Sequence, residues 1–185
     1  HSMDLSFSKL FRASSADVAA YKLYQATVDQ ARKAVFYEAW GVPDTPLGRF
    51  DAISLHCFLV LNRLKDDAAA TSFAQKYSGA IFDDMDRNLR EMGVGDLSVG
   101  KKVRKLAEGF YGRSAAYAKA LEGGESLVAE TLSRNLYGND ATGPDAAVLD
   151  AVTAYMRESV QRLESQVLDE LMAGRVTFAV LPGEK

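Results

Sequence analysis

The chain has 185 residues, 48% of them hydrophobic and 25% charged, with a formal net charge of −3 at pH 7. These values are typical of one globular domain with a substantial core, and so small a net charge excludes bulk attraction to nucleic acid. The single cysteine, Cys57, excludes an internal disulfide and is typical of a reducing compartment. The longest apolar run, Cys57–Leu61, is far shorter than the ~20 residues that span a bilayer, so any membrane contact is expected to be peripheral.

Apolar residues repeat with helical spacing almost throughout, after a start, His1–Met3, that we interpret as a tag remnant. Residues 4–185 are then expected to form a single domain. The predicted helices are about Asp17–Trp40, Arg49–Lys65, Ala69–Met92, one that follows a glycine hinge at Gly93–Gly95, Glu125–Tyr137 and Pro144–Ala173. The first of these is expected to change direction near Lys33.

The expected fold class is all-α, a bundle of six or seven helices with a long C-terminal helix and a short extended arm. Arg49–Lys65 is apolar on most sides, which predicts a central, buried helix. The last helix, expected to continue to Ala173, would be on the order of 45 Å long. Val176–Leu181 is apolar and β-branched, and is expected to pack on the bundle as the arm.

The hinge separates an acidic helix end from a basic helix start. The acidic residues are Asp83, Asp84 and Asp86, and the basic cluster is Lys101, Lys102, Arg104 and Lys105. Asp96 or Ser98 is expected to cap the second helix. Cations early in a helix are disfavoured by roughly 0.3–1 kcal/mol each. The basic cluster is therefore expected to serve a contact outside its own helix, either with the acidic residues across the hinge or with a partner.

A polar stripe crosses the predicted central helix, since Arg49, His56 and Arg63 are seven residues apart. Buried arginines need anions. The expected acceptors are Asp83, Asp84 and Asp86. The favoured interpretation is a structural polar network that fixes helix register; the alternative is that one or two of the arginines face a groove and contact a partner.

Aromatic and cationic side chains on two helices are further candidates for partner binding. Tyr37 and Trp40 lie on the first long helix, and Tyr111, Arg113 and Tyr117 on the helix after the hinge. Core packing explains any single one of them. An excess of apolar surface beside loops is, however, where a binding groove is expected.

Catalytic and cofactor chemistry has little support in the sequence. Gly95–Lys101 fits GxxxxGK, but a phosphate-binding loop needs Ser or Thr next, and Lys102 stands there. His56 is the one histidine outside the tag remnant, so zinc lacks ligands, and haem would have a single axial ligand. No GxSxG element occurs. We therefore expect neither an enzyme nor a cofactor or metal site.

Three separated blocks carry a family resemblance. They are GVPDTPLGRFDAISLHCFLVLNRL, MDRNLREMGVGDLSVGKKVRKLAEGFYGR and LSRNLYG. In this order and spacing they resemble the ubiquinol–cytochrome c chaperone family, over about Tyr21–Gly138. The resemblance implies a non-enzymatic assembly chaperone that binds newly made cytochrome b during assembly of respiratory complex III.

The resemblance also implies partners and a location. A small partner chaperone and the ribosome are implied beside cytochrome b. No targeting extension precedes the matching blocks, so a bacterial relative is expected, cytoplasmic and peripheral to the inner membrane. The alternative function is a helical carrier of a small apolar ligand such as quinone or haem. An enclosed cavity would favour the carrier, and an open apolar groove would favour the chaperone.

Overall fold

A computed structural model describes residues 3–138 and 143–185, with side chains described from Ser15 onward, so His1, Ser2 and residues 139–142 lie outside it. The described chain is all-α, which confirms the predicted fold class. The helices are α1 (Met3–Ala31), α2 (Ala34–Glu38), α3 (Pro46–Leu64), α4 (Thr71–Glu91), α5 (Asp96–Glu122), α6 (Glu125–Leu136), α7 (Ala146–Ser165) and α8 (Leu168–Met172). A single 3-10 turn, Ala68–Ala70, precedes α4.

Helix α3 is the centre of the bundle, as its sequence predicts. It contacts α1, α4, α5, α6 and α7, and the successive residues Leu55, His56 and Cys57, which point to three of its sides, are completely buried. The Thr45 side chain caps its start by accepting a hydrogen bond from the Gly48 amide at 3.1 Å. A helix apolar all round is stable only when neighbours cover every side.

The first long helix breaks at the position that the sequence indicates. Helix α1 ends at Ala31, and α2 starts at Ala34 after Lys33, whose backbone is extended. The Tyr37 hydroxyl donates to the Ala31 carbonyl at 2.9 Å, which satisfies a carbonyl left free at the end of α1.

The predicted continuous C-terminal helix is wrong. Helix α7 starts at Ala146, capped by Asp145, and ends at Ser165, because Gln166 adopts an extended backbone. The Gln166 side chain donates to the Arg175 carbonyl and accepts from the Thr177 amide, each at 3.1 Å. These bonds hold the C-terminal arm at the point where the helix would have continued.

The C-terminal arm, which is neither helix nor strand, packs on the bundle. Phe178, Ala179 and Leu181 are buried, and the Ala179 amide donates to the Ser159 hydroxyl at 3.0 Å. Over residues 3–138 and 143–185, none of the helices is long and apolar enough to cross a membrane.

Candidate partner-binding surface

The polar stripe of α3 does not meet the acidic residues of α4. Arg49 is exposed and pairs with Asp44 at 2.7 Å. Arg63 donates to the carbonyls of Leu163 and Gln166, at 2.7 and 3.0 Å, where α7 ends. The predicted acceptors were Asp83, Asp84 and Asp86. That pairing is wrong, because a loop carboxylate and two helix-terminal carbonyls take the two guanidinium groups.

Asp84 and Asp86 on α4 have partners other than the basic cluster. Asp84 accepts from the buried Tyr24 hydroxyl at 2.5 Å and lies 3.5 Å from Arg87. Burial and this hydrogen bond raise the pKa of Tyr24, so the tyrosine stays the donor. Asp86 pairs with Arg90 at 2.8 Å, and Asp83 is exposed. In the described structure, the α4 carboxylates therefore form no ion pair with the basic cluster.

His56 belongs to a closed hydrogen-bond chain in the core. Its Nδ1 lies 2.7 Å from the Ala52 carbonyl and its Nε2 lies 2.8 Å from the Tyr155 hydroxyl. Because a carbonyl only accepts, we assign the proton to Nδ1, and Tyr155 then donates to Nε2. The Gln30 amide donates to the Tyr155 oxygen at 3.0 Å.

This environment makes His56 a structural residue. Burial lowers its pKa to about 4, which keeps the ring neutral. Phe36 and Phe178 each stack edge-on against the ring at 5.1 Å. With both nitrogens hydrogen-bonded, neither is free to ligate a haem iron, and the described residues contain no cluster of His, Cys, Asp or Glu suited to a metal.

Three predicted partner contacts lie inside the molecule instead. Tyr117 is completely buried. Trp40 is 7% exposed and belongs to an aromatic group around Tyr155. Arg113 pairs with the buried Asp51 at 2.8 Å, and its guanidinium lies 5.2 Å from the centre of the Phe50 ring. The sequence interpretation of these three residues is wrong, because the side of α5 that carries Arg113 and Tyr117 faces the bundle, and Trp40, which follows α2, packs against Tyr155. Tyr37 is half-buried.

The basic cluster and Tyr111 are the predicted contacts that remain exposed. Lys101, Lys102, Arg104 and Lys105 are all exposed, and none of them forms an ion pair within the part of the chain that the structure describes. Tyr111 is 57% exposed, and its ring centre lies 5.8 Å from that of Phe82.

The start of α5 differs from the prediction in two respects. Gly95 is the N-cap and no side chain caps the helix, so the predicted caps Asp96 and Ser98 are wrong. Asp96 pairs with Arg90 instead. The basic cluster begins five residues after Asp96, beyond the first turn, where the helix dipole acts weakly. The cations therefore destabilise the helix less than their predicted position implied.

A groove of about 520 Å³ lies beside Tyr111, and the sequence interpretation missed it. It is lined by Leu64, Lys65, Thr71, Ala74, Gln75, Ser78, Gly79, Phe82 and Tyr111. Four small residues, Thr71, Ala74, Ser78 and Gly79, form much of its α4 side, and a Cβ added at Gly79 would find no other atom within 4 Å. The available signal was the run of small residues at helical spacing, Ala74, Ser78 and Gly79, on a helix that is otherwise amphipathic.

A second groove, of about 620 Å³, lies among α3, α5 and α7. Charged side chains of both signs line it, including Arg63, Arg157, Glu122 and Glu164. Such a lining does not suit a quinone or another small apolar ligand, because the bound ligand would cover the charged side chains and remove their water without replacing its hydrogen bonds.

Known proteins share this sequence pattern and this fold. A family model described as Ubiquinol-cytochrome C chaperone matches residues 38–178. The crystal structure of the Cbp3 homolog from Brucella abortus is similar, with a TM-score of 0.82 and 33% sequence identity, over 97% of this chain and 99% of that one.

Two curated vertebrate proteins are also similar. Ubiquinol-cytochrome-c reductase complex assembly factor 1 of Xenopus laevis is 25% identical over 166 residues, which are 89% of this chain and 82% of that protein. The Mus musculus protein of the same description is 22% identical over 156 residues, 84% of this chain. The chain spans about half of the mouse protein, 52% of its length.

Proposed function

Since the chain belongs to the ubiquinol–cytochrome c chaperone family, a family of complex III assembly chaperones, we propose that it binds newly made cytochrome b during assembly of that complex. The names of the vertebrate relatives, assembly factors of the ubiquinol-cytochrome-c reductase complex, support a role in assembly. We further propose that it acts without catalysis or a cofactor. We also propose that a small partner chaperone and the ribosome are its partners, and that the protein lies peripheral to the inner membrane.

The open groove beside Tyr111 is the observation that supports this proposal best. A chaperone must hold an apolar segment and release it, which suits a shallow groove that solvent can enter. Small side chains at Ser78 and Gly79 let the backbone of a client helix approach closely, while Phe82 and Tyr111 supply aromatic contact. The basic cluster lies on the same helix as Tyr111, N-terminal to it, and gives the surface a cationic end.

The carrier of quinone or haem is less well supported. A carrier needs a cavity that encloses most of its ligand. The groove beside Tyr111 is open, the groove near Arg157 is lined by charges, and His56 has both ring nitrogens engaged. Haem or quinone bound at equal stoichiometry in protein purified from native membranes would instead favour the carrier.

The test changes the groove and leaves the core intact. Gly79→Glu adds a carboxylate to the groove lining at a position where a Cβ meets no atom within 4 Å, and Tyr111→Ser removes an exposed ring. Tyr21→Ser is the matched control, a tyrosine 40% exposed on α1 and outside the groove lining. We expect the groove variants to keep their melting temperature but to lose cytochrome b in cross-linked pull-downs from native membranes, while the control retains it.

The outcomes separate the client from the surface. If the wild-type protein captures no cytochrome b, the proposed client is wrong. If both groove variants capture it as well as Tyr21→Ser does, cytochrome b is the client and another surface binds it.

A further inference from the structure

We propose that the tip of the α4–α5 hairpin, residues 92–105, docks onto a lipid bilayer that carries anionic headgroups. The groove beside Tyr111 is the proposed client site, and this tip is a separate surface with a different partner. The inference deepens the proposed function, because it rests on a chaperone that meets its client at a membrane and names the part that would hold it there.

Two large apolar side chains project from the tip. Met92 is 70% exposed and Leu97 is fully exposed, and neither joins the hydrophobic core. The turn between them is tight, because Gly93 takes a positive φ of 90° and Gly95 is the N-cap of α5. A single exposed apolar residue is ordinary, but two at one projecting turn make a small apolar point.

The basic cluster lies directly behind that point. Leu97, Lys101 and Arg104 follow the spacing i, i+4 and i+7, so they share one face of α5. All four cations of the cluster are exposed and lack ion pairs within the described residues. Of the nearby carboxylates, Asp96 is engaged by Arg90, and Glu91 and Glu108 are exposed, so positive charge predominates.

An anionic bilayer fits this combination better than other partners do. A nucleic acid would use the cations but leave Met92 and Leu97 in water. An apolar client segment would use the two apolar side chains but not four cations. At a membrane interface, apolar side chains enter the boundary of the acyl chains while lysine and arginine stay with the phosphates. Each basic residue near such a surface contributes about 1 kcal/mol, or about fivefold in partitioning.

Flotation of the whole protein with vesicles tests the charge requirement. Vesicles of phosphatidylcholine alone are compared with vesicles that also contain phosphatidylglycerol, at low and at raised salt. We expect binding to the anionic vesicles that weakens as salt is raised. Lys101→Gln combined with Lys102→Gln should weaken it about 25-fold, at fivefold per charge. Val167→Asp is the control. The Val167 side chain is 64% exposed, similar to Met92 at 70%, and it lies far along the chain from the tip, so this variant should bind the anionic vesicles as the wild type does.

Fluorescence tests insertion of the tip. Cys57, the only native cysteine, is completely buried, so a thiol-reactive, polarity-sensitive dye will label Leu97→Cys selectively. We expect a blue shift and quenching by lipid-borne quenchers on anionic vesicles. The same dye at Val167→Cys should show neither change, and the unlabelled Leu97→Gln variant should bind the vesicles about tenfold more weakly than wild type.

Three results would overturn the inference. They are equal binding to neutral and anionic vesicles, no shift of the dye at residue 97 on vesicles that bind the protein, and no vesicle binding at all. If the last occurs while the lysine variant loses cytochrome b in pull-downs, the basic cluster is a client contact. Since vesicles contain no client, failure here leaves the groove experiment unaffected.

Discussion

Replacing Arg63 with alanine should destabilise the protein by about 2 kcal/mol. The guanidinium joins α3 to the end of α7 by donating to the carbonyls of Leu163 and Gln166, at 2.7 and 3.0 Å. A hydrogen bond from a charged donor contributes about 1.5–3 kcal/mol when buried, and we take a value below the sum for two such bonds because Arg63 is only half-buried and water can replace part of the loss. The loss corresponds to about 30-fold in the unfolding equilibrium and to a melting temperature lower by about 4–8 °C for a chain of this size.

Arg49→Ala is the matched control, since Arg49 lies on the same stripe of α3. Its pair with Asp44 leaves the two side chains 59% and 60% exposed, so we expect no measurable change. Urea unfolding followed by circular dichroism compares the two variants, and hydrogen exchange at Gln166 and Thr177 reports loosening of the arm. Equal urea midpoints for Arg63→Ala and Arg49→Ala would refute the assignment of Arg63 as the clamp on α7.

Two further predictions concern His56 and two glycines. The pKa of His56 is lowered from 6.5 to about 4, so between these pH values the histidine is protonated in the unfolded chain but neutral in the folded chain. The free energy of unfolding should therefore decrease as the pH falls from 6.5 to 4, and this group alone should account for a loss of about 2 kcal/mol at pH 5. The urea midpoint should fall less in His56→Gln than in the wild type over this range, and equal decreases would contradict the assignment. Gly48→Ala should lower the melting temperature sharply, since the new Cβ would lie 1.8 Å from the Pro43 carbonyl oxygen. Gly100→Ala meets no atom within 4 Å and should stabilise α5 by about 0.5–1 kcal/mol, and two changes of the same sign would contradict this.

The sequence predicted the bundle because helical periodicity reports how many sides of a helix are covered. Arg49–Lys65 reads as apolar on most sides, and α3 is accordingly buried among five helices. The partners of its arginines were not predictable in the same way. The acceptors of Arg63 are backbone carbonyls, which any residue carries, and they are free only because α7 stops where Gln166 binds the arm.

For the candidate surface, too, the sequence predicted some features and could not predict others. Periodicity places Tyr111 and Tyr117 on different sides of one helix, because six residues turn it by about 240°. It does not tell which side faces α3, and in the structure Tyr117 is buried while Tyr111 is exposed. The groove itself depends on how α4 packs against α5, a relation between distant segments that no local pattern in either helix contains.

The two proposed surfaces lie on the same two helices, which sets their distance. Phe82 in the groove precedes Met92 at the tip by ten residues of α4, at most about 15 Å along the helix axis. If the tip reaches the acyl boundary, the groove lies just beyond a headgroup layer of about 7 Å, and about five extended residues bridge the gap. The groove would therefore bind a client segment that flanks a membrane span. In the pull-down experiment, a cross-linker placed at Gln75, an exposed residue of the groove lining, is expected to capture such a flanking segment of cytochrome b; capture of the middle of a span would contradict this arrangement.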